Sequence, residues 1–167
     1  MKIRIIMFAC CALLVAASIV TRSPRTVSAQ ESDKAKTATV MRKGFQEVSS
    51  WITKSAEMVP DEKYNYKPVD TVRTFGQLIG HVTDSYNYFC THGAGTKVEW
   101  ADPAEKGKTD KATLLPKLKE AVDKCNAVYA TDTGQVGPLM ENIAHTNLHY
   151  GNVITYLRMM GMKPPSS

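Results

Sequence analysis

Residues 141–161 read ENIAHTNLHYGNVITYLRMMG, a run with helical apolar spacing that carries two histidines, His145 and His149, four positions apart. On a helix that spacing stacks the two imidazoles one turn apart on the same face. Imidazoles are uncommon in largely apolar helical segments unless something holds them. A third histidine, His81, lies in a second such run, TFGQLIGHVTDSYNYF, over 74–89. His81, His145 and His149 are therefore the candidate ligands of one metal ion, two nitrogens coming from one helix and the third from a neighbour. The competing reading, three ordinary core histidines, requires a separate hydrogen-bond partner for each ring. Three nitrogens with an open position are the donor set of a reactive metal site rather than a closed structural one. With no carboxylate among them, the set favours zinc, nickel or iron(II) over magnesium or calcium, which prefer oxygen.

Outward from these two runs the chain divides into four helical segments, with no persuasive strand. The first spans about 34–58, with Val40, Phe45, Val48, Ile52 and Met58 at near-helical spacing and Pro60-Asp61 as its stop. The link after it offers Tyr64 and Tyr66 to pack over one end of the domain. Thr74 and Gln77 form a capping box opening the second helix, about 74–91, and Gly93 is its expected stop. The longest connection follows, 93–110, rich in glycine and charge and carrying Trp100. A connection of that length inside a compact domain is usually functional or a crossover. The third helix spans about 111–130, with Pro116 in an early turn, and the fourth about 138–160, capped by Gly161 ahead of Pro164-Pro165. The predicted fold class is all-α, a four-helix bundle in up-down-down-up order with a long crossover between helices two and three.

The first 29 residues carry a different message. Lys2 and Arg4 precede an apolar stretch from Ile5 to Val20, and Val27-Ser28-Ala29 is a small-residue cleavage site. The expected organisation is a signal peptide over 1–29 and one domain over 30–167, periplasmic or secreted, with Cys10 and Cys11 discarded. The rival is a membrane anchor, for which an apolar core of this length is short of the ~20 residues a span needs. Four of the 21 basic residues lie in this leader, leaving 17 against 16 acidic ones. The mature domain is thus close to neutral, with no electrostatic footprint for nucleic acid. Only Cys90 and Cys125 remain after cleavage; in an exported chain they either form one disulfide or are small buried helix residues.

The segment VPDEKYNYKPVDTVRTFGQLIGHVTDSYNYF, followed by the late AHTNLHYGNVITYLRMMGMKPPSS, resembles the DinB family, over roughly residues 38–165. Its specific parts are the second-helix histidine, the HxxxH of the fourth helix and the YLRxxGxxPP ending. The resemblance implies a four-helix bundle and a divalent metal held by His81, His145 and His149. Its members include metal-dependent hydrolases and transferases of low-molecular-weight thiols, so it fixes the fold better than the reaction.

Around the three histidines, Glu141, Asn152, Asp84 and Tyr88 stand where they could orient a ligand ring. His92 reads as a capping or solvent-facing residue, Tyr150 and Tyr156 as packing residues, and Arg158 as favoured by the C-terminal helix dipole. Two function classes follow. One is a small exported metal-dependent hydrolase or thiol-type transferase acting on a small molecule. The other is a non-catalytic metal- or ligand-binding bundle, with a homodimer through one helical face among its forms.

Overall fold

A computed structural model describes the backbone of residues 24–167 and side chains from residue 31. The expected leader lies outside the described residues except for its last six, which are backbone helix. Among the described residues there are four α-helices and no strand: α1 Pro24–Met58, α2 Phe75–Gly93, α3 Lys111–Tyr129 and α4 Val136–Met159. None is long and apolar enough to cross a membrane.

Each helix starts and stops for local reasons. Thr74 and Gln77 make the reciprocal capping box at the head of α2, and the Asp110 side chain accepts from Thr113 N to cap α3. At the end of α4, Gly161 takes φ +78° while Met162 N bonds back to Leu157 O, a helix stop that only glycine makes without strain. Pro116 lies inside α3 without delaying its start. The carbonyl it leaves without an amide partner belongs to exposed Ala112, where water can serve it.

Three boundaries differ from the sequence reading. Helix α1 begins ten residues earlier than expected, because residues 31–37 are all exposed and carry no apolar period to read. Gly93 closes α2 as its last residue instead of standing beyond it. Helix α4 starts two residues early, with Pro138 in its first turn, where a missing N–H costs nothing. The apolar stripe of α1 is also corrected: Val40 and Met58 are exposed, and the buried register is Met41, Phe45, Val48, Ile52 and Ala56.

Packing gives the expected order. Helix α4 lies between α1 and α2, and α3 between α2 and α1 on the other side. Helices α2 and α3 both start beside the end of α1: Gly76 N bonds Tyr64 O, and Lys111 N bonds the Asp61 side chain. They run parallel, up-down-down-up, so 94–110 must return along the bundle to reach the head of α3. The core is aromatic at its centre, where Phe45 stacks on Tyr129 and meets Tyr86 edge-on. Truncating a fully buried Phe such as this one costs ~3–5 kcal/mol. At one end Tyr64 is buried and donates to Ala56 O, and Tyr66 packs edge-on against Tyr156. Cys90 and Cys125 form a disulfide between the parallel helices, Cα atoms 5.3 Å apart, closing the alternative of free thiols.

The crossover lies in a groove made by sequence. Gly76, Gly80 and Asp84 are one turn apart each on α2 and share a face. A Cβ on Gly80 would meet the backbone of Ala104 and Glu105 at 2.8 Å, and one on Gly76 would strike the Thr109 carbonyl. Bare backbone here lets the crossover press against α2. Asp84 then fastens it, its buried carboxylate accepting from Ala104 N (3.1 Å) and Glu105 N (2.9 Å).

Candidate metal centre

The antiparallel placement of α2 beside α4 brings His81 to His145 and His149. His81 Nε2 is 3.3 Å from His145 Nε2, which is 3.2 Å from His149 Nε2. Two nitrogens bound to a tetrahedral zinc at about 2.0–2.1 Å stand about 3.3–3.4 Å apart. These two separations are thus close to the spacing such an ion requires, and the three rings form a group able to hold one.

The opposite nitrogens show how the rings are aimed. His81 Nδ1 donates to Glu105 Oε2 at 2.7 Å, leaving the Nε2 lone pair turned toward the other two rings. Arg73 holds the far side of Glu105, Nε to Oε1 at 2.7 Å. His149 Nδ1 has the Asn152 amide 3.5 Å away. His145 Nδ1 is buried with no hydrogen-bond partner. Three imidazole nitrogens crowded this closely are not all satisfied by protons, whereas one cation serves all of them at once.

Electrostatics point the same way. Burial, then the neighbouring charges of His81 and Arg73, push the His145 pKa down to about 4. His149 is pushed down to about 4 chiefly by burial and then by His145, His81 and Arg73. Both rings are therefore neutral at physiological pH, the form that donates to a metal. Burial alone would raise the Glu105 carboxyl, but the hydrogen bonds from Arg73 and His81 outweigh it and hold the group below its ordinary value. Asp84 is shifted upward by burial, a shift its two backbone N–H partners only partly offset.

Among the neighbours picked from sequence, Asn152 reaches a ligand ring, and Asp84 acts at one remove by fixing the crossover. Tyr88 packs against Trp100 and His92 rather than on the histidines. Glu141 is exposed, with no hydrogen bond to any of them among the described residues. His92 is a loop anchor, its Nε2 2.8 Å from Val98 O. Tyr150 and Tyr156 do pack, Tyr150 stacking on Trp51, and Arg158 sits exposed in the last turn of α4.

Sequence reasoning missed Glu105 and Arg73. Glu105 stands within the long connection and Arg73 just ahead of α2, with no periodicity to link either to His81. The only signal was the length of the crossover itself. Trp100, on the same segment, covers the His81 ring at 5.6 Å between centroids and hydrogen-bonds Asp102. His81, Asp102 and Glu105 also lie close enough to form a second cluster. Those carboxylates already hold Lys106 and Arg73, however, so the cluster orients His81 rather than offering free ligands.

The fold and this constellation define a class of helical bundle with a three-histidine centre. The model of the DinB superfamily matches residues 45–151, and the chain belongs to that superfamily. The match takes in all three histidines and Glu105. No curated protein matches the chain.

Proposed function

We propose that this protein is an exported member of the superfamily that binds one divalent metal through His81, His145 and His149 and uses it as a hydrolase or thiol-type transferase. The observation that carries the reading is the Nε2 triangle, its members 3.2 and 3.3 Å apart, with Glu105 orienting His81 from behind. A divalent ion there supplies Lewis acidity, lowering the pKa of a bound water to ~7 or favouring a thiol as thiolate.

The chain's own residues supply the rest. Glu105 and Asn152 fix ring orientation, Glu105 fixes the His81 tautomer, and Trp100 shields one side of the centre from water. Glu105 is occupied on both oxygens, so no free carboxylate stands by as a general base. Hydrolysis would then depend on the metal to acidify water, while thiol transfer needs only a polarised thiol. Export favours hydrolysis, since cytosolic thiol cofactors are not expected outside the membrane; a disulfide between Cys90 and Cys125 agrees with an oxidising compartment.

The same lack of a base supports the alternative of a non-catalytic binding bundle, and one experiment separates them. Zinc-, nickel- and iron-loaded protein is assayed on activated esters and on thiol addition to an electrophilic arene, beside the His145→Ala/His149→Ala variant. Turnover present with metal and absent in the variant supports the enzyme. A loaded protein with no turnover on either class supports the binding bundle.

A further inference from the structure

A cavity of about 430 Å³ opens beside the candidate centre, within the size range of small-molecule sites. Its polar lining consists of Arg73, Glu105, Asn152 and Thr71, its apolar lining of Val72, Leu78 and Tyr156. It therefore touches the groups that hold two of the three imidazoles, Glu105 behind His81 and Asn152 behind His149. Its one cation is Arg73. One edge of that guanidinium is spent on Glu105, through Nε at 2.7 Å and Nη2 at 3.5 Å. Among the described residues Nη1 has no hydrogen-bond partner, and the side chain is 42% exposed. The Tyr156 hydroxyl donates to Arg73 O at 2.7 Å and fixes the backbone beneath it.

We propose that this cavity is a carboxylate-binding subsite, in which the outer edge of Arg73 takes the carboxylate of a small organic acid whose apolar body lies against Leu78, Val72 and Tyr156. A guanidinium edge matches a carboxylate with two parallel N–H donors. Carboxylate is favoured over phosphate because Glu105 borders the same cavity, and a dianion would meet its charge with a single arginine to offset it. The imidazole rings add no negative charge of their own, and a bound divalent cation would strengthen the attraction. Nη2 also lies 3.5 Å from His81 Nδ1, so the guanidinium that anchors the acid borders the ring that carries one metal-facing nitrogen. The assignment of this acid as substrate rests on the metal-centre reading; the anion contact itself does not.

The test is ligand-observed NMR titration of zinc-loaded and metal-stripped protein with butyrate, butyramide and inorganic phosphate, with zinc content measured in every sample. Saturable butyrate binding is expected, with butyramide and phosphate at least about tenfold weaker. Arg73→Gln should weaken butyrate by a similar factor, and Arg73→Lys by less. Val72→Glu tests the site without touching the Glu105 contact: a carboxylate at the rim should also weaken butyrate about tenfold at unchanged zinc content. Equal binding of butyrate and butyramide, tighter phosphate, or butyrate binding unmoved by Arg73→Gln and Val72→Glu would overturn the subsite. Arg73-dependent butyrate binding to a protein that takes no zinc would keep the subsite and remove the metal reading. Zinc uptake with no butyrate binding would do the reverse.

Discussion

Glu105 stands 2.7 Å from Nδ1 of His81 although 24 residues separate them, and the contact exists only because the crossover doubles back along α2. Gly76 and Gly80 give the crossover room, and Asp84 holds two of its amides. The orientation of one candidate ligand is thereby tied to the course of a long connection.

Glu105→Gln should lower metal affinity about 10–100-fold, the usual effect of losing a partner behind a ligand histidine. Zinc competition with a chelating dye measures it. An affinity equal to that of the native protein would show that Glu105 does not orient His81.

Asp84→Ala leaves two amides of the crossover without their acceptor, at about 1–3 kcal/mol for each that stays buried. A lower melting temperature is expected, together with faster hydrogen exchange at Ala104 and Glu105. Metal affinity should fall with it, because Glu105 is no longer placed. Unchanged exchange at these two amides would contradict the latch.

Gly80→Ala puts a Cβ against backbone that cannot rotate away. A loss of about 1–3 kcal/mol is expected from overpacking. Chemical denaturation checks it, and the same change at exposed Gly137, where nothing lies within 4 Å, should not destabilise the protein.

The pH dependence has a definite sign. His145 and His149 titrate near 4 in the fold and near 6.5 when unfolded. A depressed folded value means that stability is full above about pH 6.5 and is lost as pH falls toward 4, where the unfolded chain takes up protons first. Metal-free protein should therefore lose stability through that window. Metal binding, which needs neutral rings, should weaken as pH falls through the same window. The His145→Ala/His149→Ala variant should show a flatter melting temperature over the same range. A native profile as flat as that of the variant would contradict the assignment.

The helices were legible because their buried faces repeat: Leu78, Ile79, Val82 and Tyr86 on α2 announce themselves by spacing. The capping box at Thr74 and Gln77 and the pairing of His145 with His149 were legible for the same reason, being local. The exposed N-terminal turns of α1 were not, since solvent imposes no period. Val40 matched the apolar pattern and still faces water, because the neighbouring Met41 sets the true register. Glu105 and Arg73 were illegible because their partner is set by the path of the crossover. That path depends on what Gly76 and Gly80 lack, a side chain, and on a buried Asp84 whose partners are backbone amides.

The most direct measurement is the metal content of untagged protein, native beside His145→Ala/His149→Ala, after purification and after reconstitution with zinc, nickel and iron(II). The account predicts about one ion per chain in the native protein and almost none in a variant that stays folded. A folded native protein that takes up none, or a variant that binds as much, would contradict it.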